Sequence, residues 1–206
     1  MTWQDMPGWH HISSRVMKLS HCNCKQDAKT WYTGAVAVLA VLLLFSANGC
    51  SKKEDPAAVL EQQGWVSDYA GILDPDEKKR ISAALESYEK ETCHQVFLLI
   101  IPSLAGDNIV EFSQKTATAW DIGQPGFGNG FLVSIAMQEG SVRIETGSAF
   151  EWFIQNGTAD KILKDVMFPM FRQEKFVEGI ERGLEEIMTE GRLKPIPADH
   201  RPDVCR

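Results

Sequence analysis

The chain has 206 residues, 44% of them hydrophobic and 24% charged, with a formal net charge of −7. That balance excludes a disordered or fibrous chain and suits one globular domain. Net acidity disfavours nucleic acid and anionic lipid as partners, and favours cations or basic protein surfaces.

Near the N-terminus, "GAVAVLAVLLLFSANGC" (residues 34–50) is an uncharged apolar run that ends in small residues and a cysteine. It falls short of the roughly 20 apolar residues that span a bilayer. With Lys18, Lys25 and Lys29 as a basic flank, it reads as the apolar segment of a secretory signal. The end "SANGC" matches a bacterial lipoprotein cleavage box, with Ala47 where leucine is usual, so Cys50 is the expected lipid-bearing residue. The alternative is an uncleaved membrane anchor. Residues 1–49 are then a leader, whose true start can be Met17 rather than Met1, and Cys22 and Cys24 leave with it. Removing the leader's four basic and two acidic residues from the totals of 21 and 28 leaves a formal charge of −9. Only Cys93 and Cys205 remain beside Cys50. Because Cys205 is next to last, in an unpatterned tail, no structural disulfide is expected.

Residues 50–63, charged and polar, form a tether, and the domain spans residues 64–190. Asp74, Pro75 and Glu77 supply an N-cap, a first-turn proline and a capping-box acid. Ile81, Ala84, Leu85 and Tyr88 then give one buried stripe of a helix. "QVFLLIIP" (residues 95–102) is too apolar for a surface element and predicts a buried central strand. A second helix after Asp107 turns Ile109, Phe112, Ala119 and Trp120 inward. "FLVSIAM" and "SVRIETG", separated by "QEG", predict a hairpin. Ile162, Val166 and Met170 mark a further helix that Pro169 ends or kinks, and Phe176, Ile180, Leu184 and Ile187 mark the last. Residues 191–206 form a tail without pattern. The order predicts an α/β fold, a three-layer α/β/α sandwich around a small mixed sheet that includes the hairpin.

Between the second helix and the hairpin, "WDIGQPGFGNGFL" (residues 120–132) packs four glycines into eight positions. A phosphate-cradling glycine loop leads from a strand into a helix, whose terminal amides meet the anion. Here a helix leads into a strand, and the spacing fits neither common nucleotide fingerprint. The loop therefore predicts a turn rather than a nucleotide site, with Gly123 and Gly130 adopting backbone angles closed to other residues.

Together with "VSDYAGIL", "VRIETGSAFE" and "FPMFR", in this order, that stretch resembles the TPM domain family of bacterial envelope proteins and a plant thylakoid protein. The resemblance covers residues 65–188 and rests on Asp68, Ala70, Gly71, Leu73, Trp120, Ile122, Gly123, Asn129 and Gly130. Arg143, Glu145, Gly147, Glu151, Pro169, Phe171 and Arg172 complete it. It implies an α/β/α sandwich and a role as divalent-metal binder, as acid phosphatase or in maintenance of membrane complexes. Many bacterial relatives end in a transmembrane helix and a glycine-rich tail, whereas this chain has an N-terminal lipid signal and stops soon after the domain, which puts roles tied to that tail in doubt.

Asp68, in a loop flanked by Val66 and Tyr69, needs hydrogen bonds, a counter-charge or a metal. It is either a capping aspartate or a hard-oxygen ligand for calcium or magnesium. Asn129 and Glu145 are the other candidate metal ligands, with calcium the first expectation. Glu145 alternates with Arg143 on one strand face, where an ion pair is the ordinary outcome. Trp120 suits core packing, and Arg172 suits either an anion or helix-terminal carbonyls. His94 and His200 stand at no metal-ligand spacing, and no Ser/His/Asp or Cys/His set is present. The expectation is a membrane-anchored envelope lipoprotein facing the periplasm or exterior. It would bind a divalent cation and a membrane protein complex but no nucleic acid or nucleotide, with metal-dependent acid phosphatase as the alternative.

Overall fold

The computed structural model describes residues 60–193 and residue 196. The leader, Cys50 and most of the tail lie outside the described residues. The expected three-layer α/β/α sandwich is found. Its four-stranded sheet has the order β1 (Val66–Asp68), β2 (Gln95–Ile101), β3 (Gly130–Ala136) and β4 (Ser141–Thr146). The first three strands are parallel, and β3 and β4 form the antiparallel hairpin.

Strand β2 is apolar on both faces, so each face needs its own cover. Val96, Leu98 and Ile100 face one core with Phe131, Val133, Ile135 and the helix residues Ile81, Leu85, Ile180, Leu184 and Ile187. Phe97, Leu99 and Ile101 face a smaller core under Ile109, Phe112, Ala117 and Trp120. Fully burying one such aliphatic side chain is worth about 1.5–3 kcal/mol, so β2 anchors the fold from the middle.

Helix α1 (Pro75–Thr92) starts with the predicted capping box. Asp74 Oδ1 accepts from the Glu77 N–H (2.8 Å), and Glu77 Oε2 accepts from the Asp74 N–H (2.8 Å). It ends at Cys93, in the left-handed region at φ 67°. Helix α2 (Ile109–Ala119) begins at the cap Asn108. Its inner face is Ile109, Phe112, Ser113, Thr116 and Ala117, whereas Ala119 is exposed, which corrects the expected stripe.

After β4 a 3-10 turn (Ser148–Phe150) leads into α3 (Glu151–Gln155) and α4 (Thr158–Lys161). A π-helical stretch (Ile162–Met167) then runs into α5 (Phe168–Phe171). The wider π winding moves the buried set to Ile162, Leu163, Met167 and Phe171. The expected Val166 and Met170 are half-buried instead. Pro169 sits in the first turn of α5, where its missing N–H costs little, and the chain passes it without ending.

The last helix, α6 (Phe176–Arg192), packs against this stretch through glycines. A Cβ on Gly179 would stand 2.7 Å from the Phe171 ring, and one on Gly183 would stand 2.5 Å from Met167 Cγ. At its end, Gly191 lets the Tyr88 hydroxyl lie against the helix backbone, and the Arg192 guanidinium carbon sits 5.1 Å from the Tyr88 ring centroid.

Tyr88 is 1% exposed, and burial pushes its phenol up to about 12, against a nearby Arg192 charge that lowers it. Above the ordinary value of 10.0 the unfolded chain releases a proton that the native state retains. Stability is therefore full below that value and falls as pH rises toward 12, with a slope of up to about 1.4 kcal/mol per pH unit. Urea midpoints measured from neutral to alkaline pH should show this decline, and Tyr88→Phe should lack its share of it.

Candidate functional site

Three segments meet at the end of the sheet where β3 begins: the C-terminus of α2, the glycine loop and the end of β4. The loop is built on hydrogen bonds to Asn129. Asn129 Oδ1 accepts from the Gln124 N–H (2.7 Å), and Nδ2 donates to Gln124 Oε1 (2.6 Å) and to the Cys93 carbonyl. Its own carbonyl accepts from the Gln95 N–H (2.9 Å). Gln95 Oε1 accepts in turn from the Gly123 N–H (2.9 Å), tying the loop to the first residue of β2. Asn129 is fully buried, so this network satisfies a polar side chain that would otherwise be costly to hold there.

The glycines have two distinct reasons. Gly123 has φ 95°, a conformation that a Cβ would strain. Gly130 is absent from the positive-φ residues; a Cβ there would stand 2.6 Å from Ile122 Cγ2 and 2.7 Å from the Gly123 nitrogen. Its need is for space, which corrects the expectation of a special backbone angle.

Against this corner lies a cavity of about 270 Å³, lined on its polar side by Gln114, Thr118, Asp121, Glu145 and Thr146. Asp121 follows the end of α2 at φ 49°, with its N–H bonded to the Thr118 carbonyl (3.1 Å). Glu145 forms the expected ion pair. Its Oε2 accepts from Arg143 Nε and Nη2, both at 2.9 Å. The Glu145 side chain is 18% exposed, so the pair is partly withdrawn from water.

The structure does not bring the three predicted metal ligands together. Glu145 faces the cavity. The Asn129 amide is fully engaged in the loop network beside it. Asp68 ends β1 and pairs in register with Ile100, which pairs with Ile135. That is five residues along the sheet from Gly130, about 16 Å away at the rise of a strand. Asp68 acts there as a backbone cap. Oδ1 accepts from the N–H groups of Ala70 (3.1 Å) and Gly71 (2.9 Å), and Oδ2 accepts from that of Leu73 (2.8 Å). These bonds turn the chain from β1 toward the start of α1. Asp121 is the site residue that sequence reasoning missed. Its signal is a carboxylate placed directly after a helix and before a glycine loop.

The other candidates take structural positions. Trp120 packs on the smaller core, and its Nε1–H donates to the Leu60 carbonyl (2.7 Å). His94 is buried between Tyr88 and Phe150. Arg172 is exposed at the end of α5. Among the described residues no group of three or more His, Cys, Asp or Glu could hold a metal ion, and no helix is long and apolar enough to cross a membrane. Cys93 is disulfide-bonded, which corrects the expectation of no structural disulfide.

Removing the Asp68 carboxylate leaves three N–H groups without their acceptor. Asp68→Ala should cost roughly 1–3 kcal/mol of folding stability, read from the shift in urea midpoint.

Solved structures resemble the fold. The N-terminal domain of a P. gingivalis protein is 25% identical, covering 68% of this chain and 87% of that one at a TM-score of 0.58. The BA42 protein of the psychrophilic Bizionia argentinensis is 17% identical over 64% of this chain and 90% of that one, with a TM-score of 0.54. The N-terminal domain of a Corynebacterium glutamicum protein is 18% identical over 69% and 93%, with a TM-score of 0.51. Among curated proteins none matches the chain. The family model of the TPM domain matches residues 66–190, the whole sheet and nearly all of the helices around it. The chain belongs to the TPM domain family.

Proposed function

We propose that this TPM domain is a divalent-cation-binding module of the cell envelope, held to a membrane by lipid on Cys50 and serving the assembly or maintenance of a membrane protein complex. The observation that carries the cation reading is the common cavity of Asp121 and Glu145. Two carboxylates, the Thr118 hydroxyl and the Gln114 amide are hard oxygen donors, the kind that calcium and magnesium take. Waters would complete the shell, since the protein offers few charged oxygens. The acidic lining also opposes a bare phosphate ester, which favours binding over the phosphatase alternative. The apolar run ending in "SANGC" supports the lipid anchor, and family resemblance supports the role beside a membrane complex.

Binding only to the native state raises the melting temperature. Millimolar calcium or magnesium should therefore raise it for the native protein, and Asp121→Asn or Glu145→Gln should abolish most of that rise. Asp68→Ala, at the far end of the sheet, should keep the increment from its own lower baseline. An unchanged melting temperature in calcium, magnesium and manganese overturns the cation reading.

The anchor has its own test. Cys50→Ser protein should remain unprocessed and lose its acyl label, while the native chain partitions with membranes at high salt. Normal processing of the variant with undiminished membrane retention would reject lipidation at Cys50.

A further inference from the structure

We propose that Arg143 is a resident counter-ion of the Asp121–Glu145 cavity, which an incoming divalent cation displaces from Glu145 toward the buried hydroxyl of Ser134. This role depends on the cation reading of that cavity and adds what sets its affinity.

Arg143 and Glu145 alternate on β4, so both side chains leave the same face of the sheet. That face is the one α2 covers, because Leu132, opposite Glu145 in the hairpin, belongs to the core beneath α2. Arg143 spends both of its bonding nitrogens on one oxygen: Nε and Nη2 each lie 2.9 Å from Glu145 Oε2. Among the described residues Oε1 has no hydrogen-bond partner, which leaves it to a ligand in the cavity that Glu145 lines. Directly across the ladder from Arg143 stands Ser134 of β3. Side chains opposed in this way have Cβ atoms about 4.5–5.5 Å apart. Ser134 is fully buried, and its Oγ has no hydrogen-bond partner. A hydroxyl held in a core without a bond is costly, and its oxygen can accept a guanidinium N–H.

Two carboxylates and one guanidinium leave a single uncompensated negative charge to meet a cation. The Arg143 side chain is 30% exposed and that of Glu145 18%, so salt screens the pair incompletely. A divalent ion at Oε1 meets the guanidinium within a few ångström, and the repulsion weakens binding roughly tenfold. Turning Arg143 to Ser134 keeps a hydrogen bond for the guanidinium while the charge of Glu145 passes to the metal. So low a ligand charge suits the affinities of about 10⁻⁴–10⁻³ M of extracellular calcium modules.

The test measures calcium affinity of the full chain in detergent by isothermal titration calorimetry, beside the melting temperature without added metal. Arg143→Gln should bind calcium roughly tenfold more tightly than native protein, even where its metal-free melting temperature falls. Arg143→Lys, which keeps the charge but loses the planar fork, should lie between the two. Ser134→Ala removes a hydroxyl that bonds nothing, so its metal-free melting temperature should be unchanged or higher. Its calcium affinity should nevertheless drop roughly three- to tenfold, the worth of one hydrogen bond. Arg143→Gln that binds no tighter than native protein would overturn the counter-ion and leave the cation reading intact. Native affinity in Ser134→Ala would overturn the displacement, because a guanidinium that never turns has no use for that oxygen. If neither native protein nor Arg143→Gln binds calcium, magnesium or manganese, the cation reading and the counter-ion fall together.

Discussion

Strand β2 has no polar face to give to water, and the rest of the fold answers that constraint. Its alternate residues divide between two cores, so helices must lie on both sides of the sheet. Parallel pairing with β3 along its whole length and with β1 over Leu98–Ile100 keeps β2 inside the sheet, leaving the edges to the three-residue β1 and to the hairpin strand β4. Because β1 is so short, the turn after it depends on a side chain: Asp68 gathers three amides that no strand or helix serves. The metal-ligand candidate of the sequence is thus used to redirect the chain.

The opposite end of the sheet solves a different problem. There α2 must hand the chain to β3 across a corner with little room for side chains. Asn129 supplies turn-like hydrogen bonds from within, and Gly130 leaves space for Ile122. The glycine loop is therefore a structural corner whose main polar groups are already bonded within it. The groups left facing solvent beside it are carboxylates of its two neighbours, Asp121 and Glu145. Arg143 holds one oxygen of Glu145 from behind, which steadies the carboxylate and reduces the local negative charge. Any ligand at this corner meets a preset arrangement.

Much of the architecture was legible because its signals are local. The Asp74–Glu77 capping box, the unbroken apolar run of β2 and the hairpin need only neighbours in sequence to be read. What escaped depends on distant partners. Three residues of β1 carry no period, and they become a strand only because β2 offers an open edge. The π stretch shifts the buried set from Val166 and Met170 to Leu163 and Met167, a slip that a period of 3.6 residues cannot express. Asn129 read as a free oxygen donor, since nothing in the sequence places Cys93 and Gln124 against its amide. Asp68 and Glu145 were each singled out for sound chemical reasons. Their placement on opposite edge strands, with β2 and β3 between them, is a property of topology, invisible to either residue alone.

The glycines of α6 have a consequence for how the helix is seated. Gly179, Gly183 and Gly191 each mark a spot where a neighbouring side chain touches the helix backbone itself: Phe171, Met167 and the Tyr88 hydroxyl. Three such notches along one rod act as a key cut for its lock. Sliding the helix by one residue along its axis, or turning it by a third of a circle, would bring a Cβ onto every one of those contacts. The helix thus has a single seating depth against the core.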